Sequence, residues 1–172
     1  MTNGWLLRVV GVALLILVLH VGVTANMPVF GIVPELPIGL AIAAGLAGGV
    51  ERGAIFGFVV GFALDVLIGT PIGLGALVLG AAGWVGGHVF LDRIEESPIV
   101  AALAIGLGTA VGLIVFVTLG IALGETGMRE IAVVRFVLVA SIVNAIAAFG
   151  LMFLSHWMWS VDPLSRRRGI RL

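Results

Sequence analysis

Six apolar segments follow one another along this chain, with little polar sequence between them. They run from Trp5 to Val23, Pro37 to Val50, Gly53 to Ile68, Ile72 to Leu91, Ile99 to Leu123 and Ile131 to Trp159. A helix needs about 20 apolar residues to cross a hydrocarbon core. The second and third segments are short by that measure. Glu51-Arg52-Gly53 reads as a tight turn joining them as a hairpin, with one bent or re-entrant pair as the alternative. The last segment is long for one span and is expected to include an interfacial turn at one end. With 61% hydrophobic and 10% charged residues, the chain lacks the polar surface a water-soluble domain requires. The expectation is a single all-α domain over 1–172, a polytopic bundle of six transmembrane helices with a basic tail at 160–172.

Charge placement gives an orientation. With the N-terminus cytoplasmic, Arg8, Arg52, Arg93, Arg166, Arg167, Arg168 and Arg171 all fall inside, and only Arg129 and Arg135 fall near the outer side. That asymmetry fits six spans with both termini cytoplasmic. Trp5, Trp157 and Trp159 then lie at the inner interface, where indole rings are favoured. The tail Ser165 to Leu172 reads as a topology anchor near anionic lipid. The first segment, ending in Val23-Thr24-Ala25, has the outline of a signal peptide but is long enough to span, and it is read as a retained helix.

Few constellations for chemistry can be assembled. There is no cysteine and no lysine, which removes thiolate chemistry, a Schiff-base lysine and a P-loop lysine. His20, His88 and His156 are far apart in sequence and lack zinc-protease spacing. Ser155 and His156 are helix neighbours that do not face each other. Gly106 to Gly112 has the wrong spacing for a dinucleotide loop. An intramembrane aspartyl protease needs two acids at depth, and Asp65 is the one Asp there, with Asp92 and Asp162 in loop and tail. The chain is therefore read as no enzyme, with no cofactor or metal and no nucleic-acid partner.

Asp65 is the residue that most needs explaining. Entering at Gly53, it lies about 18 Å deep at 1.5 Å per residue. An ionised carboxylate there costs roughly 2.5–3.5 kcal/mol unless it faces the bundle or is paired. Arg135 and His20 share its outer half, so either is a candidate partner; Arg135 has the alternative of snorkelling to the interface. Asn144 falls near mid-membrane. A second role for Asp65 follows from its neighbours. Gly69, Pro71 and Gly73 make a tight outer turn, and an acid one helical turn inside it can accept that turn's free N–H groups as a staple. Pro34 and Pro37 play a comparable part before the second helix, with Glu35 expected at the outer interface near the helix's positive end. Gly57, Gly61 and Asp65 share a face, as do Ala41 with Gly45 and Gly108 with Gly112, a spacing that lets helix backbones approach closely.

The segment Gly57-Phe58, Gly61, Asp65, then Gly69-Thr70-Pro71-Ile72-Gly73 resembles the central signature of the rod shape-determining protein MreD family, of the form G-F-x-x-G-x-x-x-D followed by G-x-P-x-G. Pro34-Glu35-Leu36 stands where that family has a Pro-Asp-Leu-like element, a conservative departure. The resemblance covers nearly the whole chain. It implies a non-enzymatic component of the bacterial elongation machinery in the cytoplasmic membrane, binding the bitopic partner MreC and linked with the MreB filament, the RodA glycosyltransferase and a class-B penicillin-binding protein. It also implies a fold like the substrate-binding S-components of energy-coupling-factor transporters. That kinship supplies the alternative, a small-molecule-binding transporter subunit. S-components commonly dock through an Ala-x-x-x-Ala face on the first helix, and here Ala13 stands alone.

Overall fold

The computed structural model describes residues 4–23, 31–89, 97–129 and 132–160. Asp92, Arg93, Asp162, the arginines of the tail and the Ala25 boundary lie outside them. The described chain is all-α: α1 (Gly4–Val18), continued by a π-helical turn (Leu19–Val23), then α2 (Leu36–Gly48), α3 (Val50–Ile68), α4 (Leu74–Val89), α5 (Pro98–Ala122), a 3₁₀ turn (Thr126–Arg129) and α6 (Val133–Trp159).

Three helices are long and apolar enough to cross a membrane: Gly4–Gly22, Pro98–Ala122 and Val133–Trp159. The other three differ for physical reasons. α2 has 13 residues, about 20 Å of helix, and every residue from Pro37 to Leu46 is buried. A helix that is apolar all round and too short to span is a core helix. α2 accordingly sits at the centre of the bundle, against α3, α4, α5 and α6. α4 is a short apolar helix, and α3 carries Glu51 and Arg52 in its first turn as well as Asp65.

Two expected boundaries move. The break between the second and third segments is at Gly49, where φ is +90°, and Glu51 to Gly53 belong to the first turn of α3. Only a residue without Cβ adopts that φ without strain, so the chain turns at the glycine and the charged pair continues as helix. Among its described residues the sixth segment contains no interfacial turn: α6 is one helix of 27 residues, and an irregular turn lies before it at Thr126–Arg129.

Glycine sets the closest approach. A Cβ on Gly57 would fall on the Leu79 carbonyl, one on Gly61 on the Gly75 carbonyl, and one on Gly83 on the Gly53 carbonyl. The α3–α4 hairpin is thus packed backbone to backbone, as bundles without a hydrophobic driving force between helices require. Gly45 joins the same contact from α2, against Gly83. Gly108 and Gly112 of α5 differ in kind, since they receive the flexible side chains of Ile42 and Ile38.

At one end of the bundle, Arg8 donates to the Trp157 carbonyl (3.1 Å) and the Ser160 hydroxyl (2.8 Å), and its guanidinium lies 4.6 Å from the Trp157 ring centroid. Arg52 stacks over Trp159 at 5.4 Å. The outward surface is predominantly apolar, with Phe149 80% and Ile146 78% exposed, a condition water does not tolerate over so wide a face.

Candidate functional site

The site is built around the α3–α4 tip. α3 ends at Gly69, whose φ of +82° closes the helix while its N–H bonds the Asp65 carbonyl. Five residues later, at Leu74, α4 begins, and its first N–H groups have no helical acceptor. The Asp65 side chain, 1% exposed, supplies one. Its Oδ2 accepts from the amides of Gly73 (2.9 Å), Gly75 (3.0 Å) and Ala76 (3.2 Å). Its Oδ1 accepts from Gly75 (2.9 Å) and from the Thr70 hydroxyl (2.8 Å). The carboxylate therefore caps a helix other than its own, at that helix's positive end. The staple expected at the turn is what the structure contains.

The ion pair expected for Asp65 is a different matter. His20 Nε2 stands 3.5 Å from Glu35 Oε2, so the acid it is seen to meet is Glu35. Arg135 lies on the exposed face of the first turn of α6, near Gly31. Local backbone donors satisfy Asp65 more cheaply than a long side chain from a remote helix, because the turn is already fixed.

Glu35 is also not at an outer interface. Its carbonyl accepts from Asn144 Nδ2 (2.9 Å), and the same amide donates to Thr109 Oγ1 (3.2 Å). Thr109 and Asn144 lie near the middle of α5 and α6, so Glu35 sits at mid-bundle height. α2 starts there because it is too short to start higher. The buried His20, twelve residues beyond Arg8 along α1 and its π turn, is about 18 Å from the Arg8 end, the depth reckoned for Asp65.

His20, Glu35, Asp65 and Thr70 consequently line one cavity of about 110 Å³, closed by Ile38, Val78 and Phe116 among others. Of the signature residues, Gly57 and Gly61 hold the helices together below it, and Gly69, Pro71 and Gly73 form the turn above it. Pro34 is buried just before Glu35, while Phe58 points outward. Sequence reasoning found Asp65 and His20 but placed Glu35 wrongly and passed over Thr109. The available signal was the length of the second segment, too short to reach from one surface to the other. Among the described residues, no group of three or more His, Cys, Asp or Glu side chains is arranged to hold a metal ion.

No protein-family model, curated protein or solved structure matches this chain.

Proposed function

We propose that the chain is a multi-pass protein of the bacterial cytoplasmic membrane, with both termini cytoplasmic, and a non-enzymatic scaffold of the elongation complex of the MreD kind. In this reading it binds MreC and works alongside MreB, RodA and a class-B penicillin-binding protein in lateral peptidoglycan synthesis and cell-shape maintenance. The observation that carries the reading is the unity of the signature segment. Its acid, its glycines and its Pro-Gly turn are one mechanical device, the stapled α3–α4 hairpin. An acid whose lone pairs are committed to backbone amides and a threonine hydroxyl is suited to architecture rather than proton transfer.

The transporter-subunit alternative draws on the cavity beside Asp65. At about 110 Å³ that cavity is well below the ~300–1,000 Å³ of ordinary small-molecule pockets, which favours the scaffold reading. The deciding experiment is co-purification with MreC, run beside depletion in a rod-shaped host. Association together with loss of rod shape supports the proposal. Retained shape without association rejects it, and a soluble small molecule co-purifying in stoichiometric amount would turn the assignment to the alternative.

A further inference from the structure

Arg8 stands one turn into α1, on the same helix stripe as the buried Val12 and Ile16, and so turns toward the bundle and the end of α6. There it meets a helix C-terminus, whose last carbonyls no helical N–H can fill. One nitrogen does that work. Nη1 donates to the Trp157 carbonyl and to the Ser160 hydroxyl, and the hydroxyl donates in turn to the same carbonyl at 2.9 Å. Both Nη1 protons are thereby used, and the Trp157 ring lies 4.6 Å from the guanidinium carbon. Two hydrogen bonds and one ring contact fix the guanidinium in place.

The donors left over select a ligand. Once Nη1 is used, a guanidinium still has Nε–H and the two Nη2 protons. They form the side edge of the fork, which meets a phosphate or carboxylate through two parallel bonds. Among the described residues no carboxylate pairs with it: Glu35 and Asp65 line the mid-bundle cavity, Glu125 lies at the opposite end, and Glu51 makes no ion pair with Arg8. Arg52, over Trp159, adds positive charge at the same end. A zwitterionic head would bring a further cation to that end, and an anionic one brings none. The surroundings are those of a membrane interface. Trp5 shares the Arg8 face of α1, and Trp157 is 44% exposed, as suits indole rings at head-group level. Leu6 and Leu7 of α1 and Phe153 of α6 are exposed nearby. An anion on Arg8 is therefore flanked by apolar side chains, which favours a lipid phosphate over a soluble one.

We propose that the Nε–Nη2 edge of Arg8 binds the phosphate of an anionic phospholipid, with Trp5 and Trp157 flanking the head group. This rests on the chain residing in a membrane, which its recovery in the membrane fraction tests separately. It is independent of the scaffold role, so failure of either leaves the other standing.

The test is native mass spectrometry and thermal melting of the full chain, purified in a neutral detergent and mixed with phosphatidylglycerol, phosphatidylcholine of matched chains, or inorganic phosphate. The expected result is retention of phosphatidylglycerol over phosphatidylcholine by about tenfold, the size of one charge-assisted hydrogen bond. Arg8→Lys keeps the charge but loses the fork, and is expected to cut the preference to about threefold or less. Arg171→Lys, the same exchange in the tail, leaves it in place. Should Arg8→Lys fold poorly, Ser160→Ala releases one of the two Nη1 bonds without altering charge and lowers the preference by about twofold. Inorganic phosphate leaves the melt unshifted where phosphatidylglycerol raises it. Equal retention of the two lipids, or equal losses in Arg8→Lys and Arg171→Lys, overturns the proposal. So does inorganic phosphate that stabilises as much as the lipid, or a preference that appears only in Asp162→Asn, which would give the edge to the chain's own acid.

Discussion

Asp65 and Gly75 belong to different helices, yet both oxygens of the one accept the amide of the other, at 2.9 and 3.0 Å. The contact ties the end of α3 to the start of α4 across a turn that contains two positive-φ glycines, Gly69 and Gly73.

Removing the carboxylate leaves buried donors without acceptors. Asp65→Ala orphans the amides of Gly73, Gly75 and Ala76 and the Thr70 hydroxyl. At about 1–3 kcal/mol for each donor that water does not reach, the loss is expected at roughly 4 kcal/mol. Asp65→Asn keeps one acceptor oxygen but turns an NH₂ toward other donors, for a loss of about 2 kcal/mol. Unfolding in mild detergent measures both. Because the acid is held by local donors, Asp65→Asn combined with Arg135→Gln is expected to be additive to within about 0.5 kcal/mol. A larger coupling would restore the ion pair.

The glycines separate by what faces them. Gly57→Ala and Gly61→Ala drive a methyl into the backbone of α4, which cannot yield as a side chain can. Each is expected to destabilise by about 1–3 kcal/mol. Gly11→Ala on the open face of α1 meets nothing and is expected to stabilise by about 0.5–1 kcal/mol. Thermal melts of the three variants beside the parent chain decide it. Equal shifts would mean that the α3–α4 backbones are not in contact.

Much of this was legible in the sequence, and the reasons differ by residue. The helices are marked by apolar runs between charges and glycines. The staple was legible because Asp65, Gly69, Pro71 and Gly73 are local, and a turn's donors can be counted from its residues. The partners of His20 and Asn144 were not legible. His20 meets Glu35 fifteen positions on, and Asn144 meets Glu35 and Thr109 across 109 and 35 positions. Such contacts depend on where α2 begins along the bundle axis, and apolar runs fix a helix's length without fixing its height. The same gap put Glu35 at the surface.

Asn144 tests that height directly. Its amide joins the start of α2 to the middle of α5, bonding the Glu35 carbonyl and the Thr109 hydroxyl. Hydrogen bonds between membrane helices average about 0.6 kcal/mol and reach about 1.7. A double-mutant cycle of Asn144→Ala and Thr109→Val is therefore expected to give a coupling of about 0.5–1.5 kcal/mol. A coupling near zero would mean that α5 and α6 do not meet at this level.

Trp159 closes the opposite end of α2. Its indole N–H donates to the Ala44 carbonyl at 3.1 Å, its ring lies under Arg52, and the ring plane occupies the space a Gly48 side chain would need. Trp159→Phe keeps most of the apolar contact but drops the N–H and weakens the cation–π contact, since indole is the better ring. Its expected cost is about 1–2 kcal/mol, the sum of one hydrogen bond and part of one cation–π contact. Gly48→Val is expected to cost more, because a branched side chain displaces the indole and breaks both contacts at once. Tryptophan fluorescence reads the outcome alongside stability: the Gly48 variant should shift Trp159 emission to the red as the ring leaves its buried position. An unshifted spectrum with full stability would place Trp159 away from α2.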